Sequence, residues 1–470
     1  MKRRLRFRVN ERLVDAEVLE ETLTLDYLRR ELGLTGSKEG CREGDCGACL
    51  VLLGRSGLDG PSWRAVTSCL LALGDLDGCH VVTIEGIAAA GLTPVMEAFL
   101  DEGASQCGFC SPGFIVALTT FLVEGRVDPV RALVSIEGNL CRCTGYGSIR
   151  RAAERLARDF AGLPAGLGDR LRALAERRVL PATLVDLMAV LPEPAGLPSA
   201  APGALTLGGG TDWFVRNPDP EPAAEVAFIH RQPGLDLIER KGDFLEIGAA
   251  VTVRDFFENP LVAAHASGIG ALEERVASLP IRNRATLAGN IVNASPVADM
   301  TVLLLALEAR VRLRSARAVR ELYLAEFFLG YKKTALAEGE FLEALLLPAA
   351  DGPVLLSFEK VSKRESLDIA TASTALGLRA EGGRIIRASL SAGGMAAVPF
   401  LARRASEFLV GREPDADTAR EAARAALAEC TPISDIRGSA GYRARLFERL
   451  VLAHFVRLFP ERNLQKEFWP

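Results

Sequence analysis

The sequence predicts a multidomain α+β protein, and three features of the 470-residue chain support that fold class. The length exceeds the roughly 100–200 residues of one ordinary domain. Short strand-like runs with glycine-rich turns fill residues 1–84, whereas residues 85–160 change to the period of helices, about 3.6 residues. Strands and helices mix again in the remainder, which a break near Ala349–Pro353 divides into two predicted domains, 179–349 and 353–462.

Apolar runs and turn residues locate the elements of the first two parts. Strands are predicted at Leu5–Val9, Leu50–Leu53 and Val81–Ile84, with one helix near Leu23–Leu32. Four helices separated by Gly, Pro and Cys turns are predicted at Pro94–Leu100, Gly113–Glu124, Val130–Glu137 and Ile149–Phe160. Residues 161–178 are rich in Gly, Ala and Arg without a strong amphipathic pattern, so they are predicted to form a surface linker.

Beyond that linker, several short runs have the composition of strands. They are Thr206–Leu207, Phe244–Ile247, Ala309–Leu313, Phe341–Leu347, Leu376–Arg379 and Ile385–Ser391. Because helical segments separate them, the whole region is expected to be mixed α/β.

Charge and hydropathy exclude several classes of function. The chain has 56 basic and 60 acidic residues, and its net charge of -4 does not favour binding to nucleic acid or to an anionic membrane. Its apolar stretches are far shorter than the roughly 20 residues of a membrane-spanning helix. Charged residues also interrupt the basic start, which argues against a signal peptide. We therefore expect a soluble, cytoplasmic protein that binds neither nucleic acid nor membrane.

Four cysteines near the start have the spacing of a plant-type [2Fe-2S] site. Cys41, Cys46 and Cys49 follow the C-x4-C-x2-C pattern, and Cys69 provides a distant fourth thiolate. Two irons need four thiolates from a tight loop, and the glycines between these cysteines let the loop fold back. A zinc site or a set of buried thiols is the alternative interpretation.

A second group is ambiguous from its spacing alone. Cys107 and Cys110 form C-x2-C, and Cys141 and Cys143 form C-x-C, a set of thiolates that zinc would also accept. No βαβ pattern surrounds the first pair, which argues against a thioredoxin-like redox site. The two remaining cysteines, Cys79 and Cys430, and the four dispersed histidines fit no ligand spacing, so inert or ordinary roles are predicted for them.

Two later segments could hold a large polar cofactor. Ala204–Trp213 places three glycines and a threonine directly after a short strand, and such a turn can present successive backbone N–H groups to a pyrophosphate. By itself this pattern is a weak signal, and a plain glycine turn is the better interpretation of it. Ile281–Asp299 adds small residues, hydroxyls, an amide and an acid against which a cofactor could lie.

The segments around the cysteines resemble the iron–sulfur region of molybdenum hydroxylases, which include xanthine dehydrogenases, aldehyde oxidases and carbon monoxide dehydrogenases. They are Gly36–Cys49, Gln106–Gly113 and Glu137–Tyr146, in the family's order. The resemblance implies a β-grasp plant-type ferredoxin domain at 1–84 and a four-helix [2Fe-2S] domain at 85–160. It assigns two clusters to Cys41, Cys46, Cys49, Cys69, Cys107, Cys110, Cys141 and Cys143. It also implies that Gln106 approaches the pterin of a partner's molybdenum cofactor.

The two later segments resemble the FAD domain of the same family, which has a vanillyl-alcohol-oxidase-type fold. Residues 353–462 are similar to the carbon monoxide dehydrogenase flavoprotein C-terminal domain, an α/β fold. The resemblance implies that two backbone segments hold the pyrophosphate and ribityl parts of FAD, and that an acid, a leucine and a lysine make further contacts. These residues are Leu207, Gly208, Gly209, Gly210, Thr211, Asp212, Thr286, Leu287, Ala288, Gly289, Asn290, Asp299, Leu342 and Lys360.

As a whole, the chain most resembles the small subunit of bacterial two-chain xanthine dehydrogenases. This implies an oxidoreductase subunit that passes electrons from a large molybdopterin-binding partner through both clusters to FAD and on to NAD. A heterotetramer of two small and two large chains, with xanthine or hypoxanthine as substrate, is the corresponding expectation. No residue that hydroxylates the substrate is expected in this chain. The alternatives are a subunit of an aldehyde or N-heterocycle dehydrogenase, a self-contained flavin reductase, and a zinc module joined to a ligand-binding domain.

One departure from the family affects the electron acceptor. NAD-reducing relatives commonly place an aromatic residue against the flavin, about a dozen residues before the Gly-Asn of the second flavin segment. Here Glu274–Leu279 contains no aromatic residue. A quinone, ferredoxin or oxygen therefore remains an alternative to NAD.

Overall fold

The computed structural model describes residues 2–57, 60–195, 204–219, 226–232, 234–349, 352–364 and 367–469. The chain divides into two compact units: unit 1 is Met1–Arg231 with Ser278–Arg284, and unit 2 is Gln232–Ala277 with Ala285–Pro470. The short segment Ser278–Arg284 therefore belongs to unit 1, although the residues on both sides of it belong to unit 2. The predicted break near Ala349–Pro353 lies partly outside the described residues.

Unit 1 begins with a mixed five-stranded sheet of the predicted β-grasp type. Its strands are β1 (Lys2–Val9), β2 (Arg12–Leu19), β3 (Leu50–Gly57), β4 (Gly60–Thr67) and β5 (His80–Val82). Their order is β2-β1-β5-β3-β4, with β1 antiparallel to β2 and parallel to β5. Leu5, Phe7 and Val9 are buried, because alternate residues of a strand face the same side of its sheet. The predicted first helix forms Thr24–Asp26 and continues as a π-helical turn, Tyr27–Glu31.

The four predicted helices follow this sheet. They are Pro94–Asp101, Ser111–Glu124, Pro129–Ser135 and Gly147–Asp159. Thr93 and Asp128 cap two of them by accepting backbone N–H groups, and a proline follows each cap, where its missing N–H costs nothing. Ser111–Glu124 is buried from Gly113 to Val123, as expected for a helix that is apolar on every side.

The segment predicted as a surface linker, 161–178, instead contains the helix Leu167–Glu176, followed by Ala182–Met188. Leu171 and Leu174 lie in the same core as the preceding helices. The leucines at 167, 171 and 174 are spaced by four and three residues, which aligns them on one helical face. The glycines and arginines around them obscured this short pattern.

Unit 1 is completed by short turns and by the parallel strand pair β6 (Leu205–Leu207) and β7 (Val226–Phe228). The strand predicted at Thr206–Leu207 is therefore present. The remaining helices and 3-10 turns are Ser68–Leu70, Leu73–Leu76, Ile84–Ile87, Ala88–Ala90, Trp213–Arg216, Ile229–Arg231 and Leu279–Arg282.

Unit 2 contains two five-stranded sheets. Its strands are β8 (Ile238–Lys241), β9 (Phe244–Gly248), β10 (Ala266–Ser267), β11 (Arg310–Arg314), β12 (Val319–Tyr323), β13 (Phe328–Gly330), β14 (Lys333–Thr334), β15 (Phe341–Pro348), β16 (Val354–Val361), β17 (Ala372–Glu381), β18 (Arg384–Gly393) and β19 (Phe400–Leu401). One sheet has the order β12-β11-β15-β9-β8, the other has the order β10-β16-β17-β18-β19, and β13 and β14 form a separate hairpin.

Helices cover the sheets of unit 2. They are Val253–Glu258, Pro260–His265, Leu287–Val292, Asp299–Ala306, Leu324–Phe327, Arg403–Leu409, Ala416–Leu427, Ala440–Leu458 and Gln465–Phe468, with 3-10 turns at Ile269–Arg275 and Pro460–Arg462. Apolar residues of β17, β18 and the three helices between residues 403 and 458 form one core. Within the described ranges, no helix is both long and apolar enough to cross a membrane.

Candidate iron–sulfur and flavin sites

The first cysteine group lies at one end of the strand pair β3 and β4. Cys49 directly precedes β3, and Cys69 lies in the 3-10 turn after β4. The antiparallel register pairs Leu50 with Thr67, so the strand ends carry both cysteines to the same place. Both thiols are buried, whereas Cys41 and Cys46 in the preceding loop are partly exposed.

The thiols of this first group interact in two pairs. Cys46 is hydrogen-bonded to Cys41, and Cys69 is hydrogen-bonded to Cys49. The bond from Cys46 lowers the pKa of Cys41 to about 5, and backbone N–H groups of the loop assist. One of these is the N–H of Glu43, 3.3 Å from the sulfur of Cys41. The loop therefore stabilises a thiolate, the form in which cysteine binds metal.

The second group lies where two helices begin. Cys110 is the residue before the helix Ser111–Glu124, and Cys141 and Cys143 precede the helix Gly147–Asp159. The sulfurs of Cys143 and Cys107 are 3.6 Å apart, and Cys110 is hydrogen-bonded to Cys141. Burial, together with this bond, raises the pKa of Cys110 to about 12.

Neighbouring polar groups hold the Cys141 turn. The hydroxyl of Thr144 donates to the Cys141 sulfur at 3.2 Å, and the N–H of Cys141 donates to the Tyr146 hydroxyl at 3.0 Å. Cys107, Cys143 and the neighbouring Gln106 are exposed. One side of this group therefore faces the surface of unit 1.

The four thiols of each cysteine group fit the donor set of a [2Fe-2S] cluster. Such a cluster has two irons and takes its four thiolate ligands as two pairs. In the first group Cys41 interacts with Cys46 and Cys49 with Cys69, and in the second Cys107 interacts with Cys143 and Cys110 with Cys141. Both groups could therefore hold a binuclear cluster.

The two cysteine loops contact each other directly. The N–H of Leu140 donates to the carbonyl of Cys46 at 3.0 Å, and the side chain of Asn139 donates to the carbonyl of Gly47 at 3.3 Å. Gly47 has a φ of 66°, and a Cβ at this position would lie 2.6 Å from the carbonyl oxygen of Gly138. Only glycine permits this close approach of the two backbones.

The first predicted flavin segment, Leu207–Asp212, lies wholly in unit 1. It begins at the end of β6 and turns at Gly210, whose φ of 72° is in the left-handed region that glycine favours. Leu207 packs in one buried cluster with Cys49 and Cys69. The glycine turn therefore starts from the same core as the first cysteine group.

Arg284, which contacts the glycine turn, was not singled out by the sequence analysis. Its guanidinium is buried and donates to the carbonyl of Gly209 at 2.8 Å and to the carboxylate of Asp75 at 2.5 Å. The sequence signal that could have identified Arg284 is the presence of charged residues in Ile281-Arg-Asn-Arg284, within a stretch of small residues.

The remaining predicted flavin residues lie in unit 2. Thr286 caps the helix Leu287–Val292, which comprises the predicted Leu287, Ala288, Gly289 and Asn290, and its hydroxyl accepts the N–H of Gly289 at 3.0 Å. The hydroxyl of Thr301 donates to the side-chain oxygen of Asn290 at 3.3 Å. This helix contacts β15, which carries the buried Leu342.

Two of the predicted contacts, Asp299 and Lys360, form an ion pair with each other. The Lys360 ammonium is 2.6 Å from one oxygen of Asp299 and 2.9 Å from the carbonyl of Arg275. The other carboxylate oxygen, Oδ1, is buried and has no partner within the described residues. Burial raises the pKa of Asp299 although Lys360 opposes the effect. An unpartnered buried oxygen of this kind is a suitable acceptor for a cofactor hydroxyl or amide.

The residues expected to be inert lie in ordinary surroundings. Cys79 is buried in the core of the first sheet, and its thiol donates to the carbonyl of Asp75 at 3.5 Å. Cys430 packs at the edge of the core that the C-terminal helices form, and burial raises its pKa to about 12. Val276, in the segment without an aromatic residue, is itself buried.

Comparison with protein families agrees with this order of sites. Residues 7–72 match the 2Fe-2S iron–sulfur cluster binding domain, and residues 83–154 match the [2Fe-2S] binding domain. Residues 175–350 match the FAD binding domain in molybdopterin dehydrogenase. The chain belongs to the molybdenum hydroxylase family. Within this family it corresponds to the iron–sulfur and flavin portion, and residues 357–458 match the carbon monoxide dehydrogenase flavoprotein C-terminal domain.

Individual members of the molybdenum hydroxylase family are similar over most of the chain. Xanthine dehydrogenase 1 of Arabidopsis thaliana is 28% identical over 93% of this chain and 38% of the relative. Aldehyde oxidase 2 of Cavia porcellus is 29% identical over 98% of this chain and 39% of the relative. The chain thus spans about two fifths of the length of these curated relatives.

Solved structures of family members are also similar. A quinoline 2-oxidoreductase chain from Pseudomonas putida 86 matches with a TM-score of 0.51 and 26% identity, covering 64% of this chain and 96% of that chain. A carbon monoxide dehydrogenase chain from Hydrogenophaga pseudoflava matches with a TM-score of 0.50 and 28% identity, covering 53% of this chain and 88% of that chain.

Proposed function

We propose that this chain carries electrons from a molybdenum centre on a large partner subunit, through two [2Fe-2S] clusters, to FAD and then to NAD. The organic substrate that we propose is xanthine or hypoxanthine, in keeping with the xanthine dehydrogenases among the relatives. The proposed assembly is a cytoplasmic heterotetramer of two small and two large chains. The chemistry on the organic substrate takes place on the partner.

The contact between the two cysteine loops carries this proposal. The hydrogen bond from Leu140 to the carbonyl of Cys46 joins a residue next to Cys141 with a ligand of the other group. Cys49 and Cys69 share a core with the start of the glycine turn. These contacts support the order second cluster, first cluster, flavin.

Each proposed cofactor has its own residues in this chain. The first cluster takes Cys41, Cys46, Cys49 and Cys69, and the second takes Cys107, Cys110, Cys141 and Cys143. The glycine turn Leu207–Asp212 offers N–H groups to the FAD pyrophosphate, while Thr286–Asn290, Asp299, Leu342 and Lys360 contribute further contacts. When bound, the clusters supply one-electron transfer and FAD supplies the exchange between one-electron and two-electron steps. The protein positions these groups and controls their exposure to water.

The exposed side of the second group is the proposed docking surface for the partner. Cys107, Cys143 and Gln106 are exposed there, and Phe109 between the cysteines is 46% exposed. An exposed aromatic beside exposed cluster ligands is typical of a surface that another protein covers. Gln106 is proposed to approach the pterin of the partner's molybdenum cofactor.

The test is to purify the complex and measure reduction of its chromophores by substrate. Xanthine should bleach the visible bands of the clusters and flavin, and NAD should restore them. Flavin should leave the protein on acid precipitation, because neither flavin segment offers a histidine, cysteine or tyrosine positioned for covalent attachment. A preparation that contains zinc in place of iron would contradict the whole proposal.

A second candidate is an N-heterocycle or aldehyde dehydrogenase with an acceptor other than NAD. The absence of an aromatic residue from Glu274–Leu279 favours it, because a nicotinamide ring would lose a stacking partner worth about 0.5–1.5 kcal/mol. Steady-state turnover with each acceptor separates the two candidates. Rapid reduction of artificial dyes with negligible reduction of NAD would favour the second candidate.

A further inference from the structure

We propose that Arg284 is a positioning residue that orients the peptide between Gly209 and Gly210, so that the N–H of Gly210 faces the pyrophosphate of FAD. This inference rests on the proposed binding of FAD at Leu207–Asp212. Arg284 itself does not touch the cofactor. It acts through the backbone of the glycine turn.

Two hydrogen bonds from a single nitrogen hold the guanidinium of Arg284 in place. One nitrogen, Nη2, donates to the carbonyl of Gly209 at 2.8 Å and to the carboxylate of Asp75 at 2.5 Å. The side chains of Arg284 and Asp75 are 3% and 1% exposed, so water does not compete for these bonds. Burial alone would raise the pKa of Asp75, but Arg284 and Arg55 overcome this effect and hold the pKa below its ordinary value. The carboxylate therefore stays charged and holds Arg284 in place.

The geometry of a trans peptide connects Arg284 with the cofactor side of the turn. In a trans peptide, the carbonyl of one residue and the N–H of the next point in opposite directions. Arg284 holds the carbonyl of Gly209 towards the protein interior, which turns the N–H of Gly210 the other way. Glycine peptides rotate easily, and Gly210 already has a φ of 72°. A strong buried donor is therefore needed to keep one orientation.

The net positive charge of Arg55, Arg284 and Asp75 also favours an anionic ligand. Two guanidinium groups, of Arg55 and Arg284, face the single carboxylate of Asp75. A buried ion pair by itself contributes little to stability, because desolvation of both charges offsets their attraction. An excess of positive charge behind a turn of N–H groups favours a pyrophosphate in front of it.

The experiment compares a double variant and a single variant of the full chain. Arg284→Met with Asp75→Asn removes the donor to Gly209 without leaving an unpaired buried carboxylate. Arg55→Met removes the neighbouring cation but leaves Arg284 paired with Asp75 and bound to Gly209. FAD is removed from each protein, and its dissociation constant is measured by quenching of flavin fluorescence on reconstitution. Iron content and unfolding by urea are measured in parallel.

We expect the Arg284 variant to bind FAD about tenfold more weakly or worse, the effect of losing a hydrogen bond from a charged donor. The Arg55 variant should stay within about threefold of the unmodified chain, and both should keep their iron. Equal FAD affinity of the two variants would overturn the positioning role alone. An unmodified chain that binds no FAD would instead overturn the proposed function, and the inference with it.

Discussion

Replacement of Gly47 by alanine should weaken the junction of the two cysteine loops. Gly47 has a φ of 66°, and an L-residue in this region costs about 1–2 kcal/mol. The added Cβ would also lie 2.4 Å from the side-chain nitrogen of Asn139 and 2.6 Å from the carbonyl oxygen of Gly138. Overpacking of this kind costs about 1–3 kcal/mol, because the Gly138 backbone must move. We therefore expect a total loss of about 2–5 kcal/mol of unfolding free energy.

Gly108 provides a matched control within the second cysteine loop. Its φ is 80°, but a Cβ at this position would meet no atom within 4 Å. Gly108→Ala therefore includes the backbone strain without the clash, and should cost only about 1–2 kcal/mol. The difference between the two variants isolates the packing of one loop against the other.

Urea unfolding, followed by the visible circular dichroism of the clusters, measures both free energies. EPR spectra of the dithionite-reduced proteins report the magnetic interaction between the clusters, which should weaken in Gly47→Ala and persist in Gly108→Ala. Iron content shows whether each cluster is retained. Equal stability and equal EPR spectra of the two variants would refute the conclusion that Gly47 joins the loops.

Three further predictions concern the clusters, the flavin region and the response to acid. The chain should contain about four irons and four acid-labile sulfides. Cys46→Ser should remove the EPR signal of one cluster and preserve that of the other. Loss of both signals from a folded protein would show that the ligand sets are assigned wrongly. Lys360→Met should lower the unfolding free energy by about 3 kcal/mol because it leaves the buried Asp299 without its cation. Asp299→Asn in the same chain should restore much of the loss, and no restoration would contradict the ion pair. Burial lowers the pKa of His454 to about 3 in the folded chain. As the pH falls, His454 is therefore protonated in the unfolded chain before it is protonated in the folded chain. The free energy of unfolding therefore keeps its full value above about pH 6.5, and it should fall by roughly 2.5 kcal/mol at pH 4.5. His454→Gln should flatten that part of the curve of urea-unfolding free energy against pH, and an unchanged slope would exclude His454 as its source.

Local features of the sequence were sufficient to predict many of the elements and both cysteine groups. Cluster ligands come from tight loops, so the spacing of Cys41, Cys46 and Cys49 reflects the geometry of the site directly. Periodicity likewise located the four helices after residue 93, because each helix is long enough to repeat its pattern. The helix Leu167–Glu176 escaped prediction because only three leucines mark its buried face.

Contacts between distant residues could not be predicted in this way. Asp299 and Lys360 were each predicted as flavin contacts, but their ion pair joins two residues that are 61 positions apart in the sequence. Arg284 contacts Gly209, 75 positions away, because Ser278–Arg284 returns to unit 1. No periodicity or spacing encodes such a return.

The sequence by itself therefore determined the kinds of cofactor and most of the residues proposed to hold them, since these depend on short stretches of chain. The tertiary structure decided how the thiols pair and how the two cysteine loops meet at Gly47. It also decided that the buried Arg284 contacts the glycine turn. These features follow from the burial of apolar surface across the whole fold, which brings together residues whose separation in sequence carries no information about their distance in space.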